Sequence, residues 1–136
     1  MHLLLLLSAL ADVSVPHLGM ACGTPRWQQL RDAVDAYCRS EAAPSEALGC
    51  RVAHYSFSHC EAAPELEPFE DGSLKASIRD PRDRSYAWLM QFARVRGVWT
   101  LERFKYEFDD CDAMGIPEPP RGPLRLADLR RAQHED

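Results

Sequence analysis

Residues 84–111 read RSYAWLMQFARVRGVWTLERFKYEFDDC, and this stretch decides the fold. It contains two runs rich in aromatic and β-branched residues, separated by a short turn at Gly97. Two such runs around a glycine-containing turn predict a β-hairpin. In the second run Phe104, Tyr106 and Phe108 alternate with charged residues, which is the period-2 pattern of a strand with one wet face.

The alternation changes phase within this second run. Trp99 and Leu101 share one parity, whereas Phe104 and the aromatic residues after it have the other. If both sets face the core, one extra residue must lie near Glu102 and Arg103, which is a β-bulge. Because bulges bend sheets, the sequence predicts a strongly curved sheet.

A helix is predicted near the start of the domain. Thr24 is a suitable N-cap, and Pro25 suits the first helical position. Apolar residues then recur at three- and four-residue spacing, which places them on one helix face. We interpret this face as the side that covers the sheet; its members are Trp27, Leu30, Val34 and Cys38.

Two further strands complete the predicted sheet, at residues 51–59 and 73–79, with residues 61–72 as an acidic, solvated loop between them. His54 and His59 would lie on opposite faces of the first strand, so no metal site is predicted. The predicted fold class is α+β, with one main N-terminal helix packed on a curved four-stranded antiparallel sheet. The predicted core residues are Trp27, Leu30, Val34, Tyr55, Phe57, Trp99, Phe104, Tyr106 and Phe108.

The length of 136 residues predicts one domain. We assign residues 24–112 to this α+β domain and residues 12–23 to an N-terminal lead. Residues 113–136 form a proline-rich tail with a short amphipathic helix. The net charge of −5 argues against a nucleic-acid-binding surface, which needs a basic stripe.

The N-terminus has the pattern of a secretory signal peptide spanning residues 1–11. A leucine-rich run at residues 3–7 leads to an Ala-x-Ala sequence that ends at Ala11. The run is much shorter than the ~20 apolar residues that cross a bilayer, so no integral membrane span is predicted. A secreted or periplasmic protein is therefore expected; the alternative is a buried helix or strand at the start of the domain. A second alternative is a lipid anchor at Cys22, which follows a small residue.

Cysteine usage favours the same compartment. No C-x-x-C pair occurs among the five cysteines, so neither a zinc ribbon nor a redox motif is indicated. Export predicts two disulfides, whereas a cytosolic protein would keep small buried thiols. Because Cys22 and Cys60 are expected at one end of the domain, they should pair, and Cys38 should pair with Cys50 or Cys111. Our hypothesis is Cys22–Cys60 plus Cys38–Cys111, with Cys50 left over.

The order of elements, with the Gly-x-Trp-x-aliphatic piece at residues 97–101, resembles the cystatin-like folds that include the NTF2-like proteins. The resemblance covers about residues 25–108. It implies a helix across a bent antiparallel sheet that encloses a pocket. No catalytic residue is carried over from it, because no Asp-His pair stands at matching places.

Three functions remain open. The first is an exported non-enzymatic module that binds a protein or small-molecule ligand, without a cofactor. The second is an enzyme with an NTF2-like pocket that uses acids such as Asp109 or Asp110; the sequence shows no motif of a nucleophile elbow, phosphate loop or zinc protease. The third is a structural envelope protein that docks on a larger assembly through its C-terminal tail.

The signal-peptide pattern makes a direct prediction. Mass spectrometry of the native protein should show a mature chain that has lost residues 1–11, because the Ala-x-Ala sequence marks the cleavage site. A lipid-modified chain that begins at Cys22 is the alternative product. An intact Met1 terminus on protein from the cytosol would contradict export.

Overall fold

The computed structural model describes residues 21–110 and 114–134. The predicted signal peptide, most of the N-terminal lead and Cys111 lie outside the described residues. Helices α1 (Pro25–Ser40) and α2 (Ala47–Ser58) come first. Strands β1 (Glu65–Pro68), β2 (Leu74–Arg79), β3 (Tyr86–Val95) and β4 (Val98–Phe108) follow, and helix α3 (Leu129–His134) comes last.

Helix α1 begins and packs as the sequence predicts. The side chain of Thr24 accepts a hydrogen bond from the backbone N–H of Trp27, and Pro25 occupies the first turn. Trp27, Leu30 and Val34 are buried on the face toward the core. The Trp27 indole N–H also donates to the Phe57 carbonyl oxygen over 2.8 Å, so its polar atom is satisfied inside the core.

The strand predicted at residues 51–59 is wrong, because residues 51–58 lie in helix α2 and His59 caps its end. Its buried residues recur at three- to four-residue spacing along the helix and not at every second position. A short apolar run of this length fits both periods, and the period-2 interpretation was the wrong choice. The expectation of one main helix is therefore not matched, since three α-helices lie within the described residues. The buried residues of α2 are Gly49, Val52, Ala53, Ser56 and Phe57.

The α+β class and the four-stranded antiparallel sheet are confirmed, with strand order β1-β2-β3-β4. The edge strand β1 lies within the segment that the sequence assigns to an acidic loop. Only Leu66 in this strand is buried, so the sequence contains no alternating apolar pattern that would predict a strand here. The strand ends at Pro68, a residue that edge strands tolerate because the outer side needs no N–H donor.

The β3–β4 hairpin and its bulge are confirmed. Arg96 and Gly97 both have positive φ, 55° and 78°, which is the conformation of a two-residue hairpin turn whose twist matches the strands. The register pairs Gln91 with Arg103 but Phe92 with Leu101. One extra residue, at position 102, therefore lies in β4, where the sequence predicted the bulge.

The core differs from the predicted one along the second half of β4. Trp99 is buried as expected, but Phe104 and Phe108 are only half-buried, and Tyr106 is 36 % exposed. These residues do face the same side of the sheet as the core, but they line the edge of the sheet and a cleft. Tyr55 is also half-buried, because it lies on α2 and stacks on the His59 ring.

The C-terminal segment packs on the domain. Leu129 in α3 is fully buried in the core cluster. The Gln133 side-chain amide accepts from the Arg79 N–H over 2.8 Å and donates to the Arg79 carbonyl over 3.0 Å. Arg79 lies beyond the last residue of β2 that pairs with β1, so the amide takes the place of a neighbouring strand there.

Two disulfides join the described residues. Cys22 bonds Cys60, as predicted, with a Cα–Cα distance of 5.5 Å. The predicted Cys38–Cys111 pair is wrong, because Cys38 bonds Cys50 with a Cα–Cα distance of 6.0 Å. The prediction assumed a strand after Cys50; in the structure this cysteine lies in the first turn of α2, which runs back along α1.

The Cys22–Cys60 disulfide also tests the predicted alternative of a lipid anchor at Cys22. The Cys22 sulfur is in a disulfide, so it cannot carry the thioether of a lipid anchor in this state. The lipid-anchor alternative at Cys22 is therefore not compatible with the structure. In residues 21–110 and 114–134, no helix is long and apolar enough to cross a membrane.

The two disulfides should differ in their contribution to stability. The Cys22–Cys60 bond spans 38 residues and the Cys38–Cys50 bond spans 12. Loop-closure entropy predicts a loss of about 4 kcal/mol for the Cys22→Ser/Cys60→Ser variant and about 3 kcal/mol for Cys38→Ser/Cys50→Ser. Denaturant unfolding measures both losses, and a non-reducing peptide map checks the pairing. A Cys38–Cys111 peptide in that map would contradict the α1–α2 arrangement.

Candidate functional site

A cleft of about 170 Å³ opens between the start of α2 and the hairpin strands β3 and β4. Helix α2 approaches the hairpin closely at Gly49: a Cβ added there would lie 3.1 Å from both Phe104 Cζ and Trp88 Cδ1. The absence of a side chain at this position thus leaves the ring of Phe104 against the helix backbone. The lining residues are Ser45, Glu46, Leu48, Gly49, Arg82, Trp88, Phe104 and Tyr106.

A buried ion pair forms one end of this cleft. The carboxylate of Asp80 is fully buried, and the side chain of Arg82 is 18 % exposed. Arg82 Nε donates to Asp80 Oδ1 over 3.0 Å, and Arg82 Nη2 donates to Asp80 Oδ2 over 2.8 Å. The Arg82 backbone N–H also donates to Asp80 Oδ1 over 2.8 Å. This fork geometry fixes the guanidinium in one plane.

Tyr106 joins the ion pair from strand β4. Its hydroxyl donates to Asp80 Oδ2 over 2.6 Å, and its ring packs on Trp88 with 4.8 Å between centroids. Burial, followed by the hydrogen bond to Asp80, raises the pKa of Tyr106 well above its ordinary value. The hydrogen bond to Asp80 likewise raises the pKa of Arg82. Both groups therefore remain protonated donors throughout the physiological pH range.

A second hydrogen-bonded group forms the opposite wall. The Glu46 carboxylate accepts the Tyr37 hydroxyl over 2.9 Å and the Ala43 backbone N–H over 2.9 Å. Burial, together with the bond to Glu46, raises the pKa of Tyr37. The Tyr37 ring in turn contacts Phe104, with 5.9 Å between centroids. Helix α1, the α1–α2 connection and β4 are thus joined at the rim of the cleft.

The C-terminal segment adds two contacts to this region. Arg82 Nη1 donates to the Gly122 carbonyl over 2.7 Å, and the Tyr86 hydroxyl donates to the Pro117 carbonyl over 2.6 Å. Tyr86 also stacks on Tyr106, with 5.4 Å between centroids. The proline-rich segment, which the sequence treats as a separate tail, therefore contacts the residues that position the cleft.

The two histidines of this region do not line the cleft: His54 lies in α2 and His59 follows its last residue. His54 Nδ1 is 2.9 Å from Asp35 Oδ1, and His59 Nδ1 is 2.8 Å from the Tyr55 carbonyl oxygen. They occupy a helix surface and its end, not the two faces of a strand. Within the described ranges, no group of three or more His, Cys, Asp or Glu residues is placed to hold a metal ion.

The acids singled out in the sequence do not line the cleft. Asp109 Oδ2 lies 3.1 Å from Arg79 Nη2, and the Asp109 carbonyl accepts from Arg79 Nη1 over 2.8 Å. Asp110 accepts a hydrogen bond from the Ser85 hydroxyl. These contacts bind the end of β4 to its neighbours in the sheet.

Sequence reasoning missed the Asp80–Arg82–Tyr106 cluster. The sequence correctly predicted a turn at residues 80–83. In such turns an Asp carboxylate commonly accepts the backbone N–H of the residue two positions later, as Asp80 does from Arg82. Such a turn is normally solvated, however, and nothing in the local pattern places Tyr106 above it. Only the pairing of Trp88 with Tyr106 across the hairpin brings the third member to the pair.

Comparison of this chain with protein-family models, with curated proteins and with solved structures gave no match. The resemblance to the cystatin-like and NTF2-like folds thus stays a prediction from the sequence.

The ion pair should dominate the stability of this region. Asp80→Asn keeps the shape but removes the charge, which leaves the Arg82 guanidinium without its buried counter-charge. We expect a loss of about 3–5 kcal/mol in the free energy of unfolding, measured by denaturant titration. Glu118→Gln is the matched control, because Glu118 faces Arg121 at 4.0 Å with both side chains about 85 % exposed. Equal effects of the two changes would contradict the role of Asp80.

Proposed function

We propose that the chain is an exported, non-enzymatic binding module that takes one apolar group, of the size of an aromatic side chain, in the cleft beside Gly49. The observation that carries the proposal is the combination of aromatic walls with a cleft of about 170 Å³. The ligand class is a small aromatic molecule or an exposed apolar side chain of a protein partner. The cystatin-like, NTF2-like arrangement remains the sequence-based expectation for such a pocket.

The size of the cleft supports this ligand class. A protein cavity of about 150 Å³ holds a molecule such as benzene, whereas drug-sized ligands and cofactors occupy about 300–1,000 Å³. Trp88, Phe104 and Tyr106 offer ring faces and edges that pack on another ring. A single ring inserted between α2 and the hairpin is therefore the occupant that matches both volume and chemistry.

Three polar side chains in or beside the cleft are poorly suited to acid–base catalysis near neutral pH. A general acid or base works best with a pKa near the operating pH. The pKa values of Tyr37, Arg82 and Tyr106 are all raised from ordinary values that already lie above neutrality. Their hydrogen bonds to Glu46 and Asp80 hold the walls in place, which is the preorganisation that a binding site needs.

The proposed location outside the cytosol agrees with the covalent structure. The two disulfides are compatible with an oxidising compartment. The leucine-rich N-terminus with its Ala-x-Ala sequence points to the same place.

The cleft can be tested with small aromatic probes. Toluene and phenol, titrated into the protein, should shift the amide NMR signals of Gly49, Phe104 and Tyr106 in a saturable way. Ser45→Trp should abolish these shifts, because Ser45 lines the cleft and a large ring there would cover its mouth. Ala47→Trp is the matched control: Ala47 is an exposed neighbour that does not line the cleft, so its variant should still bind.

Circular dichroism should show that both variants fold. Two results would contradict the proposal: saturable shifts confined to another surface, or equal loss of binding in both variants. The absence of any saturable shift in the wild-type protein would do the same.

A further inference from the structure

Within residues 21–110 and 114–134, strand β4 pairs with another strand on one side only, which leaves its outer edge open. It is the last strand in the order β1-β2-β3-β4. The Asp109 N–H donates to the Ser85 carbonyl over 2.6 Å, at the pair that continues the β3–β4 register. In an antiparallel strand the backbone N–H and C=O groups of successive residues point to opposite sides of the strand. Since those of Asp109 point to β3, the groups of Phe104, Tyr106 and Phe108 point away from β3, toward the open edge.

Along this edge, charged side chains lie on one face of the sheet and aromatic side chains lie on the other. Lys105 and Glu107 are exposed on the wet face of the sheet. Phe104, Tyr106 and Phe108 lie on the other face, half-buried or, for Tyr106, 36 % exposed. Among the described residues, no strand pairs with the outward-pointing backbone groups of this edge, which also carries Lys105, Glu107 and a row of incompletely covered aromatic rings. Natural proteins usually block such an edge, so a long open one marks a surface for another strand.

We propose that a second copy of this chain pairs with β4 antiparallel, about a twofold axis at Tyr106. In this register Tyr106 lies opposite the same residue of the second copy, and Phe104 lies opposite Phe108. All of these are residues whose main-chain groups point outward, so they form the hydrogen-bonded pairs. Lys105 then lies opposite Glu107 on the wet face, and Glu107 opposite Lys105, which gives two opposite-charge cross-strand pairs.

Charge selects this register among its neighbours. Backbone geometry allows only registers that pair the outward-pointing residues with one another. Moving the axis to Lys105 sets that lysine against itself, and moving it to Glu107 sets that glutamate against itself; like charges directly opposite are unfavourable. The register at Tyr106 is the self-complementary one, as an isologous interface requires.

This pairing joins the two four-stranded sheets into one continuous sheet. It also places Phe108 of one copy beside Phe104 of the other, next to the cleft that Phe104 and Tyr106 line. Each copy thus covers aromatic surface that the other leaves exposed.

Charge reversal at the edge tests the proposal. Sedimentation equilibrium of the wild-type protein, from low micromolar to millimolar concentration, should show a monomer–dimer equilibrium that weakens as salt is added. Lys105→Glu replaces both opposite-charge pairs by Glu–Glu pairs, and Glu107→Lys replaces them by Lys–Lys pairs. Each variant should weaken self-association by about tenfold or more, because two cross-strand pairs change sign in each dimer.

Two rescue experiments are specific to this register. The Lys105→Glu/Glu107→Lys double variant restores opposite charges at every pair, so it should dimerise like the wild-type protein. An equimolar mixture of the two single variants should form a heterodimer, because each glutamate of one chain then lies opposite a lysine of the other. The heterodimer is not expected if the charges act only within the fold of one chain, because each single variant keeps two like charges in its own strand.

Arg121→Glu and Glu118→Lys are matched charge controls, since both side chains are about 85 % exposed and lie in the C-terminal segment. They should leave the dimer intact. A wild-type protein that stays monomeric at every concentration would overturn the proposal. So would controls that dissociate the dimer as strongly as the edge variants, or a failure of both rescues.

Discussion

The fully buried carboxylate of Asp80 is the constraint on which the arrangement of this protein depends. A buried charge is tolerated only when it is paired and hydrogen-bonded, so the chain must bring donors to it from several directions. Arg82 comes from the same turn, and Tyr106 comes from the far strand of the hairpin. Through Arg82 the proline-rich segment is also attached, at Gly122. One carboxylate therefore links a turn, a strand and the C-terminal segment.

The helical layer is fixed by covalent bonds and close packing. The Cys38–Cys50 disulfide sets the α1–α2 pair, and Cys22–Cys60 ties the start of α1 to the segment after α2. Gly49 allows α2 to touch the rings of Phe104 and Trp88. The cleft lies beside Gly49, where the start of the second helix of this layer meets β3 and β4. The proposed binding site and the proposed pairing edge are thus two parts of the same exposed aromatic surface.

Local sequence patterns determined the elements that depend on residues near one another in the chain. Thr24, Pro25 and the stripe from Trp27 to Val34 predicted α1 because capping and helical periodicity are local. The turn at Gly97 predicted the hairpin, and the phase change after Leu101 predicted the bulge that the register shows.

Tertiary structure alone decided the rest. Residues 51–58 lie in a helix that packs on α1, a contact that a short apolar run cannot reveal. Strand β1 forms because β2 offers it a partner, although only Leu66 is buried. Cys38 bonds Cys50 because helix α2 brings Cys50 back to the end of α1. Asp80 is buried because Tyr106, from a distant strand, and Arg82 both bond its carboxylate. Periodicity reports which faces are apolar, but it carries no information about which distant faces will meet.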